Sequence, residues 1–155
     1  DLDTSVFLLN ASGKVRNDAD FVFYGNLKAV DGAVEHLGDN LTGAGEGDDE
    51  VIKVSFTDLD AKAPDVEKLA LVVTIHEAET RKQNFGQVNN AFIRVLNDEN
   101  QIELVRYDLT EDYSMETALV FGEIYKKGGE WRFTAVGQGY AGGLAAACKD
   151  YGVNI

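Results

Sequence analysis

The sequence predicts a mainly β protein: an antiparallel β-sandwich of about eight strands with a few short helices, one of them at the C-terminus. Three observations carry this. The apolar runs are short and rich in β-branched and aromatic residues. Turn-forming residues, including many of the 16 glycines, separate them at close intervals. No repeat period, low-complexity tract or linker divides the 155 residues, so residues 1–155 read as a single domain large enough for one core. Closure of the strands into a barrel stays open as an alternative.

Taken in order, residues 5–9 (Ser-Val-Phe-Leu-Leu) form a buried strand ended by the turn Asn10-Ala-Ser-Gly13. Residues 21–24 make the next strand, which stops at Gly25-Asn26. Residues 27–30 and 33–37 flank Asp31-Gly32, a hairpin signal because a type I′ turn needs positive φ at both central residues. Residues 51–56 alternate, with Ile52, Val54 and Phe56 on one face of a half-buried strand. A turn-rich connection, 58–65, carries the single proline, Pro64. It leads into residues 69–76, whose near-continuous apolar character marks a central strand ending at His76. A polar helix or loop over 77–89 precedes strands at 91–96 and 102–109, joined by the turn Asn97-Asp-Glu-Asn100; residues 110–116 allow one helical turn. Strands 117–126 and 130–136, joined at Lys127-Gly128-Gly129, carry core aromatics at Phe121, Tyr125, Trp131 and Phe133. The Ala-rich residues 143–151, stopped by Gly152, read as the terminal helix.

Charge narrows the partners. Fourteen Lys and Arg against 27 Asp and Glu leave a net charge of −13, which opposes direct contact with nucleic acid or anionic membrane and favours cations. No apolar run approaches the roughly eighteen residues of a membrane span. A lone Cys148 forms no internal disulfide and reads as a small buried residue, so the cytoplasm is the default compartment. The chain opens at Asp1 on a strand-like segment with neither an initiator Met nor a signal peptide, which suggests numbering that begins inside a longer protein.

The chemistry gathers in residues 38–50, Gly-Asp-Asn-Leu-Thr-Gly-Ala-Gly-Glu-Gly-Asp-Asp-Glu. Carboxylates at Asp39, Glu46, Asp48, Asp49 and Glu50 repel one another unless protonated or bridged by a cation, and hard oxygens on a glycine-rich loop suit Ca²⁺. The loop alone reads equally well as a solvated acidic face. It is not an EF-hand: counting from Asp39, Ala44 stands where that loop needs its glycine, and Leu41 and Gly43 fill ligand places. Asp1 and Asp3, two apart at a strand start, and Asn26 in a turn are distant co-ligand candidates, because all can converge at one end of a sandwich.

Other signals are weaker. Gly137-Gln-Gly139-Tyr-Ala-Gly142 matches a dinucleotide fingerprint, but the chain ends 13 residues later, without a returning parallel strand or a ribose-binding acid. These glycines read as a tight strand-to-helix turn. His36 and His76 lack zinc or triad spacing, and Arg81-Lys82 reads as a solvated basic patch. Carboxylates packed into one loop do not flank a sugar cleft. No catalytic residue and no enzymatic activity are expected.

Taken together, Asp1-Leu2-Asp3-x-Ser5, the Gly38-Asp-Asn-Leu-Thr-Gly…Gly-Asp-Asp-Glu50 loop, Val73-Thr-Ile-His76, Phe85-Gly-Gln-Val88, Arg106-Tyr-Asp-Leu109 and Gly137-Gln-Gly-Tyr-Ala-Gly-Gly143 resemble the TerD family of bacterial tellurium-resistance stress proteins. The resemblance implies a β-sandwich that binds two calcium ions and serves resistance to tellurite and other chemical stress. It implies as ligands Asp1, Asp3, Asp39, Asn40, Asp48, Asp49 and Glu50, with Asn26 and Glu46 beside them, and a further segment upstream of Asp1. The expected role is a Ca²⁺-dependent sensor or scaffold for other stress-resistance proteins, with membrane contact only peripheral and through those partners. The alternative is a metal-assisted enzyme or an oxyanion handler.

Overall fold

A strand covered on both faces must be apolar at consecutive positions, and the run ending in Leu-Ala-Leu-Val-Val-Thr-Ile75 satisfies this. The computed structural model describes residues 2–23, 25–37, 51–75, 92–97, 102–108, 118–140 and 143–153. In chain order the strands are β1 (Leu2–Leu9), β2 (Phe21–Val22), β3 (Lys28–Ala29), β4 (Val34–His36), β5 (Ile52–Val54), β6 (Lys68–Ile75), β7 (Phe92–Asn97), β8 (Ile102–Asp108), β9 (Ala118–Lys127) and β10 (Glu130–Tyr140). Among the described residues the α-helices are α1 (Phe56–Lys62) and α2 (Gly143–Tyr151). A five-stranded sheet runs β10-β9-β6-β1-β2, with β6 at its centre; β3-β4-β5 and β7-β8 form separate ladders, and every pairing is antiparallel. Among the described residues β10 and β2 are edges, so the large sheet is open and not a barrel.

Alternation along β1 and β6 splits the core in two. Val6, Leu8, Leu69, Leu71 and Val73 face Ala29 and Val34 of the small sheet and Leu59 of α1. Phe7, Leu9, Ala70 and Val72 face Ala147 and Cys148 of α2 on the other side. Each fully buried Leu, Val or Phe contributes about 1.5–3 kcal/mol, so both layers are needed to hold the sheet. The terminal helix is therefore a third layer, not an appendage.

The expected strand over 51–56 is shorter. β5 ends at Val54, and Ser55 becomes the N-cap of α1, its Oγ accepting from the Asp58 N–H at 3.4 Å. The alternation through Phe56 was apolar spacing shared by a strand and the start of a helix, and the cap decides between them. The supposed turn-rich stretch after it is thus partly helical, with Asp58 in the first turn, Lys62 in the last and Leu59 buried.

Asp31-Gly32 does form the predicted reversal: the Ala33 N–H donates to Val30 O at 3.0 Å, with Asp31 at φ 53°, ψ 33° and Gly32 at φ 92°. Val30 also sits at φ 53°, an uncommon conformation for a β-branched residue. Gly137, expected in a turn after the last strand, lies inside β10 at φ 69°, where the register slips between Ala135 and Gln138. A bulge lets the strand continue to Tyr140, so the first two glycines of the Gly-x-Gly-x-x-Gly string belong to a strand.

Candidate metal centre

Register brings several predicted ligand segments to one end of the sandwich. The first residues of β1 pair with the last of β6, Leu2 with Ile75 and Asp3 with Thr74. Thr74 is in turn level with Ala118, and Ala118 with Tyr140. β2 runs antiparallel to β1, Val22 opposite Val6, so the turn that follows β2 advances toward the start of β1. That turn is closed by reciprocal backbone bonds, Phe23 N–H to Asn26 O at 3.1 Å and Asn26 N–H to Phe23 O at 3.0 Å.

The described residues that flank the acidic segment stand at the same end. The His36 N–H donates to Leu27 O at 2.7 Å, which sets the end of β4 level with the Asn26 turn, and the Leu37 N–H donates to Val51 O at 2.9 Å. Leu37 and Val51, the described residues on either side of 38–50, therefore stand beside the β2–β3 turn. Asp39, Asn40, Glu46, Asp48, Asp49 and Glu50, together with Asp1, lie outside the described residues, as do His76, Arg81 and Lys82. Of Asp3 the structure describes the backbone position. Among the described residues there is no group of three or more His, Cys, Asp or Glu side chains able to hold an ion.

Asn26 is the one predicted ligand whose side chain is described. Its Nδ2 donates to Phe21 O at 2.8 Å and to Ala19 O at 3.3 Å. These bonds pin the amide and leave Oδ1, the hard oxygen a calcium ion would take, as the end not used by them. Asn26 thus has a structural duty that its sequence position did not reveal.

Ser5, His36 and Thr74 are buried polar residues near this end, each at most 4% exposed; His36 fits the structural role its sequence context suggests, whereas the burial of Ser5 and Thr74 was not read from the sequence. The available signal was Thr74 interrupting an apolar strand and His36 in a core-facing position. Cys148 is fully buried against the sheet, and burial pushes its thiol up to about 11, so it is held as an unreactive thiol.

The opposite end is tied by charge. Asp20, 2% exposed, accepts from Arg16 Nε at 2.7 Å and Nη2 at 3.0 Å, and Arg16 Nη1 reaches Asp65 at 2.9 Å. The Asp20 hydrogen bond holds the guanidinium even further above its ordinary value. Lys126 Nζ meets Asp60 at 2.7 Å, the Trp131 Nε1–H donates to the same carboxylate oxygen at 3.2 Å, and Lys126 lies 5.2 Å from the Trp131 ring centre.

Comparison with known proteins sets this geometry in a family. The TerD domain model matches residues 1–151. The chain belongs to the TerD family. It is 62% identical over 154 residues to a tellurium resistance protein TerD from an Alcaligenes species, covering 99% of this chain and 79% of that protein. General stress protein 16U of Bacillus subtilis is 56% identical over 155 residues, covering all of this chain and 79% of its own length. Among solved structures, the crystal structure of the unknown-function protein SAV2460 superposes with a TM-score of 0.78 at 25% identity, covering 94% of this chain and 82% of that one. The β-rich architecture of this TerD-family chain is therefore shared with a solved protein. Among the described residues no helix is long and apolar enough to cross a membrane.

Proposed function

We propose that this chain is a calcium-binding module of a bacterial system for resistance to tellurite and chemical stress, acting as a Ca²⁺-dependent sensor or scaffold for partner proteins. One observation carries the reading. The strand start that bears Asp3, the Asn26 turn and both anchor points of the five-carboxylate segment 38–50 stand at a single end of the sandwich. The relatives' names, tellurium resistance protein and general stress protein, support the physiological part.

Asp1, Asp3, Asp39, Asn40, Asp48, Asp49 and Glu50 would supply hard oxygens, with Asn26 Oδ1 and Glu46 beside them, for a pair of Ca²⁺ ions. Bound calcium supplies positive charge. The carboxylates otherwise repel one another, so the ion would order the acidic segment and present a surface to a partner. The work is electrostatic and needs no nucleophile, consistent with a non-enzymatic role. A thiol-based oxyanion handler gains nothing from Cys148, whose sulfur is buried and held protonated.

The test is a calcium titration of metal-stripped protein, followed by amide shifts, thermal unfolding and metal stoichiometry. At a free calcium of about 100 times Kd the native state gains about 2.7 kcal/mol. Asp48→Lys with Asp49→Lys should remove that gain and leave a foldable sandwich. A wild-type protein whose stability and amide spectrum ignore Ca²⁺ would sink the proposal.

A further inference from the structure

A helix leaves its last four carbonyls without partners inside itself, and each must be met from outside. At nine residues α2 is too short to hold its shape alone in water, so what meets those carbonyls decides how firmly it stays docked. Two of the four are closed by the chain that follows. The Val153 N–H donates to Cys148 O at 2.9 Å and the Gly152 N–H to Lys149 O at 3.3 Å, with Gly152 at φ 85° and Val153 buried in the cluster that α2 shares with the sheet. The other two are closed from 136 residues away. Lys14 Nζ donates to Asp150 O, and the Val15 N–H donates to Tyr151 O at 3.0 Å. The β1–β2 loop thus completes the end of α2.

The loop reaches the helix already braced. Asn10 Oδ1 accepts from the Ser12 N–H at 2.9 Å and the Lys14 N–H at 3.4 Å, the Gly13 N–H donates to Asn10 O at 3.0 Å, and the Asn10 N–H donates to Lys14 O at 2.8 Å. Val15 bridges Leu9 of β1, and Arg16 is fixed to Asp20 and Asp65. The turn therefore stands on bonds of its own, whereas α2 draws half of its C-terminal partners from the loop. Charge adds to the dependence. Asp150 brings a carboxylate to the helix end where the backbone dipole is already negative, and Lys14 brings a cation there.

We infer that the β1–β2 loop is the clasp of α2: residues 10–16 and the helix open and close as one unit, separately from the β9–β10 turn. The side chains that α2 covers, Phe7, Leu9, Ala70 and Val72 among them, are not those that face the small sheet, so the helix can lift without disturbing the packing on the far face. The seal contains one side-chain charge, and it sits at an exposed residue, Lys14. Neutralising that ammonium therefore loosens a helix without touching the core. The inference is independent of the calcium reading.

The test is native-state hydrogen exchange of the full chain, followed at the Val15 amide, which is itself part of the seal, and at the amides of residues 148–151. Gly13→Ala and Gly128→Ala make one change at two places. Both glycines have positive φ, 79° and 60°, and a Cβ on either meets nothing within 4 Å, so each variant adds backbone strain and no clash. Gly13→Ala should speed exchange at Val15 and at 148–151 by one common factor, about fivefold or more, the ratio that a left-handed alanine imposes. Gly128→Ala should leave both unchanged. Gly152→Ala, strained in the end of the helix itself, should in turn speed Val15 by the same factor as the helix, since coupling is reciprocal. Lys14→Met, at an exposed position that does not threaten folding, should speed both sets about fivefold. Faster exchange at Val15 alone in Gly13→Ala or Lys14→Met would overturn the inference, because the loop would then fray without the helix. So would an equal acceleration of α2 in Gly128→Ala, because the helix would then open only with the whole molecule.

Discussion

The two ends of the sandwich manage charge in opposite ways. At the end formed by the β1–β2 loop, the 58–67 connection and the β9–β10 turn, cationic side chains answer carboxylates: Arg16 bridges Asp20 and Asp65, Lys126 holds Asp60, and Lys68 lies 3.7 Å from Glu123. Lys14 adds a bond to the Asp150 carbonyl of α2. At the other end stand the start of β1, which bears Asp3, and Leu37 and Val51, the described residues that flank a stretch of sequence with five carboxylates; 14 basic residues serve 27 acidic ones overall. One end is neutralised by the protein itself. The other flanks the most acidic stretch of the sequence, for which the counterion proposed above is an outside cation.

That contrast can be broken at either end. The largest effect is expected at the self-neutralised end: Arg16→Met strands the buried Asp20 carboxylate and should cost about 3 kcal/mol in denaturant unfolding, with calcium affinity unchanged. Next is the calcium-dependent gain of about 2.7 kcal/mol near 100 times Kd, confined to the acidic end and erased by Asp48→Lys with Asp49→Lys. Ser55→Ala removes the cap of α1 and should lower stability by about 1 kcal/mol, again without touching calcium binding.

The smallest effect is a pH dependence at Asp60. The Lys126 hydrogen bond, with a further bond from Trp131, holds this carboxyl below the usual carboxylate range despite an opposing effect of desolvation. A depressed folded-state value means the contact stabilises the protein above the unfolded aspartate value of about 3.9 and is lost as pH falls through the lower folded value. Trp131 emission should therefore change in that acidic window in wild type and stay flat in Asp60→Asn. A native thiol assay sharpens the account of Cys148: it should react with a disulfide reagent only after unfolding.

Much of the fold was legible because local rules and tertiary needs agree. The apolar stretch of β6, the Asp31-Gly32 reversal and the Ala-rich residues 143–151 carry signals that no neighbour contradicts. Legibility failed where one local pattern serves two structures. Ile52, Val54 and Phe56 alternate as a strand would, but Ser55 caps a helix. Gly137 resembles a turn and forms a bulge that lengthens β10. At the candidate site, composition pointed to the acidic segment and strand start, yet nothing in the sequence around Gly25 disclosed that the Phe23 ring stacks on Phe21 and lies against the Gly25 backbone.

By itself, then, the sequence determined a mainly antiparallel β protein, a segment dense in carboxylates, and its likeness to the TerD family, because periodicity, charge density and motif order are properties of the chain read along its length. Tertiary structure alone decided that the large sheet is covered by strands and α1 on one face and α2 on the other. It also decided which ends meet: register sets β1, the Asn26 turn and the anchors of residues 38–50 at one end, and places Arg16 against Asp20 and Asp65 at the other. The physical reason is that pairing and packing join residues far apart in the chain, and whether Gly25 serves conformation or space depends on what lies above it.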